Sequence, residues 1–443
     1  VAGDKAVKNK RGKIVDHVLG LKCLICGAEY GLDQALYVCP RHGDEGILDV
    51  RYDYDKISAR ISPWSLSQDG ERSVWRYAPL LPVSPRTLAS LRERRERLPA
   101  HPLLTVGWTP LYCSPRLAGR AGVSKVYVKN DGLMPSASFK DRASAIAILK
   151  ALELGRDVIS GASTGNAASS LATLSASLGI KNIIFLPAAA PQAKIAQLLV
   201  HGAQVLAVNG TYDQAFELCL AASKKYGWYN RNTAYNPYMS EGKKTAVFEI
   251  CEQLDWQIPD RIFVGVGDGC IIGGLHKGFK DMLALGWIER APRLMGVQAA
   301  GSAALYEAWR QNTDPLDMKP IQAHTVADSI SAGLPRDRIK AMRAVVETGG
   351  AFVAVTDEEI LAAMPTLARD AGVFAEPAGA APCAGLLKAA SLGLLAAHER
   401  VVLLATGNGL KDVGSAIQAV GQATFIEPAL EAVEAIFGDR ERR

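Results

Sequence analysis

The chain has 443 residues, 49% hydrophobic and 21% charged, with 50 basic against 45 acidic side chains and a net charge of +5. That length is too great for one ordinary core and calls for two or three domains. The near balance of charge gives no case for nucleic acid or an anionic membrane surface as a partner, and no apolar run reaches the roughly 18 residues a membrane-crossing helix requires.

The first segment, Val1 to Lys13, is polar and Lys-rich, without the apolar stretch of a secretory signal, so a cytoplasmic location is expected. Cys23 and Cys26 then form a Cys-x-x-Cys pair, followed after twelve residues by Cys39 and His42. Two close pairs around a hairpin-sized segment are zinc-ribbon spacing, because each turn presents two soft or borderline ligands to a tetrahedral ion. A ribbon that keeps its shape without metal meets the same pattern. The other five cysteines, Cys113, Cys219, Cys251, Cys270 and Cys383, lie among apolar residues and read as thiols.

Residues 53 to about 104 carry Trp64, Trp75 and Tyr77 and read as an arm packed on the main body. From Val126 the pattern becomes strand–helix alternation. Strands are expected at Val126–Lys129, Asp157–Ser160, Asn182–Leu186 and Gln204–Val208, with helices at Phe139–Leu154, Asn166–Ser177, Gln192–His201 and Asp213–Tyr226. A second series has strands at Arg261–Val264, Arg293–Val297, Phe352–Val355 and Arg400–Leu404, and a helix from about Ile272 to Leu285. Apolar strands alternating with amphipathic helices predict parallel sheets covered on both faces, with a ligand beyond the carboxyl ends of the strands.

Four turns at such ends carry polar or small residues. In the first, Ser138 and Phe139 precede Lys140, which places an amine at a helix start in a strand-end crevice. An amine there suits capture of an aldehyde if its pKa is lowered, although most lysines at helix starts are surface charges. The second is Ser163, Thr164, Gly165 and Asn166, a polar cradle that ordinary N-capping also explains. The third runs through Gly265, Gly267, Asp268, Gly269, Cys270 and Ile271. Its glycines and the helix start suit a phosphate of any kind, and it is not a Walker A loop. Asp268 is unwelcome beside a dianion and is expected to point away or to act as a cap. The fourth, Thr406 to Asp412, offers the neutral hydroxyl of Thr406 to a ring nitrogen.

In this order the four turns resemble those of the fold-type II pyridoxal-phosphate enzymes, and most of the chain is similar to the threonine synthase-like family within that group. The resemblance implies Lys140 as the Schiff-base lysine, Asn166 at the cofactor 3′-hydroxyl and the turn through Gly265, Gly267, Asp268, Gly269, Cys270 and Ile271 at its phosphate. It also implies Thr406 at the ring nitrogen, and Ser138, Ser163, Thr164, Gly165 and Asn236 near the substrate. The implied architecture is α/β: a zinc-ribbon-like module over 1–52, a large cofactor-binding domain over 53–150 and 243–443, and a small α/β subdomain over 151–242. The implied function is elimination or replacement on a small amino-acid substrate in a homodimer, with zinc as a further structural ion. The leading reaction is that of threonine synthase, and the alternative is β-elimination or β-replacement on serine, threonine or a related amino acid. Met239 and Gln204 stand where the family pattern has arginines, which weakens the case for a phosphorylated substrate.

Overall fold

A computed structural model describes residues 15–35, 37–93, 101–190 and 192–437. The Lys-rich start and the charged end at Asp439–Arg443 lie outside them. Strands β1 (Val18–Cys23), β2 (Glu29–Tyr30) and β3 (Leu48–Tyr52) form a small antiparallel sheet in the order β2-β1-β3. This module is tied to the body by buried polar contacts. Tyr52 Oη donates to Glu241 (2.6 Å), Tyr54 Oη to Asp281 (2.8 Å), and Lys277 Nζ to the carbonyl of Val50 (2.8 Å).

The body contains two sheets. Strands β4 (Leu111–Cys113), β5 (Lys125–Asn130), β10 (Arg261–Gly265), β11 (Arg293–Ala299), β12 (Ala351–Val355) and β13 (Arg400–Ala405) run in the order β12-β11-β10-β13-β5-β4, all parallel except β4. Strands β6 (Val158–Ala162), β7 (Lys181–Pro187), β8 (Gln204–Val208) and β9 (Tyr229–Asn230) form a fully parallel sheet in the order β8-β7-β6-β9. β10 and β13 at the centre of the larger sheet are nearly continuous runs of buried residues, as parallel strands covered on both faces require.

The helices that matter to the site are α1 (Lys140–Glu153), α2 (Asn166–Ala176), α3 (Tyr212–Tyr226), α4 (Tyr238–Lys243), α5 (Thr245–Gln253), α6 (Cys270–Ala284), α7 (Arg338–Glu347), α8 (Asp357–Ala371) and α9 (Pro377–Ser391). α1 is buried along most of its length. It carries Arg142, which bonds Asp131 and Glu249 inside the core, and Glu249 also pairs with Lys129 at 2.7 Å. Every side chain in this cluster is sealed from water, so Arg142, two residues past Lys140, serves the fold. α9 lies against the larger sheet because Gly385 has no side chain: an added Cβ would stand 2.3 Å from Val297.

Gln204 opens β8 in an exposed position, at the strand end remote from the four turns. The missing charge there has no bearing on them. Met239 is buried in α4.

Candidate active site

The four turns meet. The Phe139 amide donates to the carbonyl of Thr406 (2.8 Å), Ser138 pairs with Gly407, and the Glu376 amide donates to the carbonyl of Gly407 (3.1 Å). Asn166 Nδ2 reaches Glu376 Oε1 at 2.6 Å and Ser329 Oγ at 3.3 Å. Gly267 packs on Ile330, where a Cβ would stand 2.9 Å from its Cα.

The turn before Lys140 is held from within. The Asp141 carboxylate accepts from the Ser136 amide (2.7 Å) and its hydroxyl (2.5 Å), and Ala137 takes a left-handed φ of 60°. A non-glycine residue there carries strain that the surrounding contacts must hold. Lys140 itself is half-buried. Burial, reinforced by the positive charge of Lys243, lowers its pKa to about 8. A neutral amine is therefore accessible close to neutral pH.

Four helices start here without a side-chain cap: α1 after Phe139, α2 after Gly165, α6 after Gly269 and α9 after Glu376. Away from the site α3 and α8 carry complete capping boxes, Thr211 with Gln214 and Thr356 with Glu359. Ser163 does not cap α2; its Oγ accepts from the Gly165 amide at 3.2 Å. Uncapped N-termini leave amides and a positive dipole end for an anion. In the glycine turn the amides of Gly267, Asp268 and Gly269 have no hydrogen-bond acceptor among the described residues. Gly269, with φ 89°, is obligatory, since a Cβ would stand 2.7 Å from Ala341. Asp268 turns its carboxylate onto the Arg336 amide (3.3 Å), and its own carbonyl accepts from the Asp337 amide (2.8 Å). Cys270 and Ile271 form the first turn of α6, and burial pushes the Cys270 thiol well above its usual range.

Thr406 is buried, and its hydroxyl has no hydrogen-bond partner among the described residues. A cleft lined by Thr164, Gly165, Asn166, Ser169, Glu376 and Lys411 opens above the turns. Asn236 is bound up in its own turn: Nδ2 donates to the carbonyl of Asn230 (2.8 Å) and Oδ1 accepts from the Tyr238 amide (3.0 Å).

In the N-terminal module the ligand atoms of Cys23, Cys26, Cys39 and His42 all lie within 4.8 Å of one another. Separations are 3.8 Å for Cys23 Sγ to His42 Nδ1, 4.0 Å for Cys26 Sγ to Cys39 Sγ and 3.5 Å for Cys39 Sγ to His42 Nδ1. A tetrahedron with metal–sulfur bonds of ~2.3 Å has edges of about 3.8 Å, so the four atoms stand as zinc would require.

Residues 103–407 match the profile of the pyridoxal-phosphate dependent enzyme family. A threonine synthase from Methanosarcina acetivorans is 40% identical over 420 residues, covering 94% of this chain and 98% of the relative. One from Methanocaldococcus jannaschii is 38% identical over 418 residues, with coverage of 94% and 98%. The chain belongs to the threonine synthase family of pyridoxal-phosphate dependent enzymes. Among solved structures, diaminopropionate ammonia lyase from Escherichia coli superposes with a TM-score of 0.62 at 18% identity, covering 76% of this chain and 94% of that one. The processed form of threonine deaminase isoform 2 from Solanum lycopersicum gives 0.60 at 24%, covering 71% and 83%. These two share the fold.

The cofactor that defines this family fits the residues present. A phosphate-bearing aldehyde needs an amine of lowered pKa and unused donors for a dianion, and Lys140 and the amides of 267–269 offer both. Glu376 is a site residue to which the sequence reading assigned no role. Its buried carboxyl is pushed up by burial against the pull of Lys140, and it holds Asn166. An acid before Pro377 at the head of an apolar helix reads as an ordinary helix start, which hid it.

Proposed function

We propose that this chain is a threonine synthase, converting O-phosphohomoserine and water to threonine and phosphate. The observation that carries the reading is likeness to threonine synthases over nearly their whole length. Lys140 would hold the cofactor by its aldehyde carbon, the amides of Gly267 to Gly269 and the start of α6 its phosphate, Asn166 its 3′-hydroxyl, and Thr406 its ring nitrogen. When bound, pyridoxal phosphate supplies an electron sink for a carbanion next to the amino-acid nitrogen.

The protein's own residues do the rest. The Lys140 amine, neutral above pH ~8, takes a proton from the substrate α-carbon and then one from the β-carbon, so that the C–O bond at the γ-carbon breaks and phosphate leaves with its electron pair; these two protons go to the γ-carbon and the departing phosphate, and water then adds its hydroxyl at the β-carbon and its proton at the α-carbon. Ser138, Ser163, Thr164 and Gly165 would hold the substrate carboxylate, with Asn236 supporting the adjoining turn. Glu376 fixes the Asn166 side chain, which supports one orientation of the ring. The neutral hydroxyl of Thr406 leaves a ring nitrogen unprotonated and keeps the sink moderate, which suits loss of a leaving group.

The test is a comparison of substrates. O-phosphohomoserine is expected to yield threonine and phosphate in equal amounts, faster than serine or threonine yields keto acid and ammonia. The reverse order would assign the chain to β-elimination instead.

Two structural proposals accompany this reading. Zinc occupies the Cys23, Cys26, Cys39 and His42 cluster, supported by its ligand spacing. The protein is a homodimer, supported by an exposed apolar C-terminal segment: α10 (Val413–Val420) and α11 (Leu430–Phe437) bury no residue, and Phe425 between them is 88% exposed.

A further inference from the structure

Asp141, the residue after Lys140, is fully buried, and no ion pair joins it to a cation among the described residues. Its own neighbour is the contrast, since the Arg142 guanidinium is met by both Asp131 and Glu249. A dry carboxylate without a cation is costly, and burial pushes this one up to about 6. At neutral pH it is ionised and can only accept. It takes both donors of Ser136, the amide at 2.7 Å and the hydroxyl at 2.5 Å. An acid in the first turn of α1 also suits the helix dipole, but an acid facing solvent would serve the dipole too, and the dipole does not explain the fold back onto Ser136.

The two contacts close the chain from Ser136 to Asp141 into a loop, and Lys140 lies inside it. Ala137, at φ 60°, is held in that loop on both sides: its amide donates to the carbonyl of Met134 (2.8 Å), and its carbonyl accepts from the Asn408 amide (3.0 Å). With the Phe139 amide on the Thr406 carbonyl and the bridge of Ser138 to Gly407, three backbone contacts join this loop to the turn at 406–408. Ser138 Oγ lies 3.4 Å from Ser136 Oγ, so the side-chain contacts of the loop extend to the residue placed at the substrate carboxylate. An alanine in the left-handed region relaxes toward negative φ unless its surroundings prevent it. The cofactor ring is rigid, with its aldehyde carbon and its nitrogen a fixed distance apart. Lys140 and Thr406 must match that span, and the contacts through Ala137, Ser138 and Phe139 set it.

We propose that Asp141 is a positioning residue for the Lys140 amine: through Ser136 it holds the strained loop against the Thr406 turn, so that amine and hydroxyl meet the two ends of one ring. This rests on the reading of Lys140 and Thr406 as the residues at the aldehyde carbon and the ring nitrogen. Asp141 acts through Ser136 and the loop, and its effect is on where the amine stands. A misplacement of about 1 Å at a reacting group can cost on the order of a hundredfold in rate.

The experiment compares D141A, D141N, S136A and the double variant D141A/A137G with wild type. Capture of pyridoxal phosphate by cofactor-free protein is followed by stopped-flow absorbance, alongside the urea midpoint and the kcat and KM of the holoenzyme for O-phosphohomoserine. D141A is expected to capture the cofactor roughly ten- to a hundredfold more slowly and to lose kcat by a similar factor, with KM within about threefold of wild type. D141N, whose amide oxygen still accepts from the Ser136 amide, should recover most of the rate. S136A keeps the backbone contact and should lose roughly threefold to tenfold. In the double variant glycine takes the left-handed φ without strain, so the urea midpoint should return while capture stays slow. Recovery of both together would make Asp141 merely structural and overturn the proposal. So would a wild-type capture rate in D141A or, if D141A does not fold, in S136A. Borohydride reduction of wild type keeps two failures apart. An adduct on a lysine other than Lys140 sinks the reading on which this rests, whereas an adduct on Lys140 with unchanged capture in D141A sinks the proposal alone.

Discussion

At the scale of single residues, the chemistry converges on the Lys140 amine. Its pKa is lowered to about 8, so the neutral form that attacks an aldehyde grows as pH rises through that value. Capture of pyridoxal phosphate by cofactor-free protein should accelerate from pH 6 to a plateau above ~9, followed by stopped-flow absorbance; a flat profile would contradict the assignment. Lys140→Ala should lose the cofactor's visible band and turnover together. Lys140, Asn166 and Thr406 were legible because each stands where an apolar strand gives way to small or polar residues and a helix. Glu376 was not. Sequence shows that a charge exists, but not what it meets in the fold, and Glu376 is distinguished only by its contact with Asn166. The weight given to Gln204 failed for the same reason, since it sits at the wrong end of its strand.

At the scale of elements, the strands and alternating helices from 126 to 226, and then β10 and α6, were readable from periodicity, and their observed ends differ by a residue or two; β9, α4 and α5 between them were not anticipated. The antiparallel edge strand β4 is three residues long, too short for a pattern. α8 and α9 contain Pro365 and Pro382, which read as breakers, and α9 is buried nearly all round, so it has little amphipathic signal. The contrast between capped and uncapped helices makes a prediction. Thr356→Ala at the start of α8 removes a capping box and should cost about 1 kcal/mol in urea unfolding while cofactor binding stays unchanged. The buried ion cluster predicts a larger effect. Glu249→Ala leaves Arg142 and Lys129 charged in a dry core and should cost about 3–5 kcal/mol by the same measurement. A loss under 1 kcal/mol would show that water or a neighbour replaces the carboxylate.

At the scale of the whole molecule, the N-terminal module is both a candidate metal centre and part of the body's framework. Beyond the contacts of Tyr52, Tyr54 and Val50, Arg343 on α7 donates to the carbonyl of Leu24 at 2.9 Å, and Lys340 lies 3.4 Å from Asp49. α7 is preceded by Asp337, whose amide donates to the carbonyl of Asp268 in the glycine turn. Stripping zinc with a chelator should therefore lower the melting temperature and weaken cofactor retention; protein that carries no stoichiometric zinc by elemental analysis would dismiss the metal. The apolar C-terminal segment predicts a dimer by light scattering, and Phe425→Glu is expected to shift it toward monomer. The ligand spacing at Cys23 to His42 was plain in the sequence, whereas the route from that module to the glycine turn depends on contacts between residues hundreds of positions apart.

The measurement that bears most directly on the whole account is borohydride reduction of the holoenzyme followed by peptide mass spectrometry. Reduction fixes the cofactor to whichever lysine holds it. The expected result is a single phosphopyridoxyl adduct on the peptide containing Lys140. An adduct on Lys243 or Lys411, two further lysines of lowered pKa near the turns, or on no lysine at all would contradict the account.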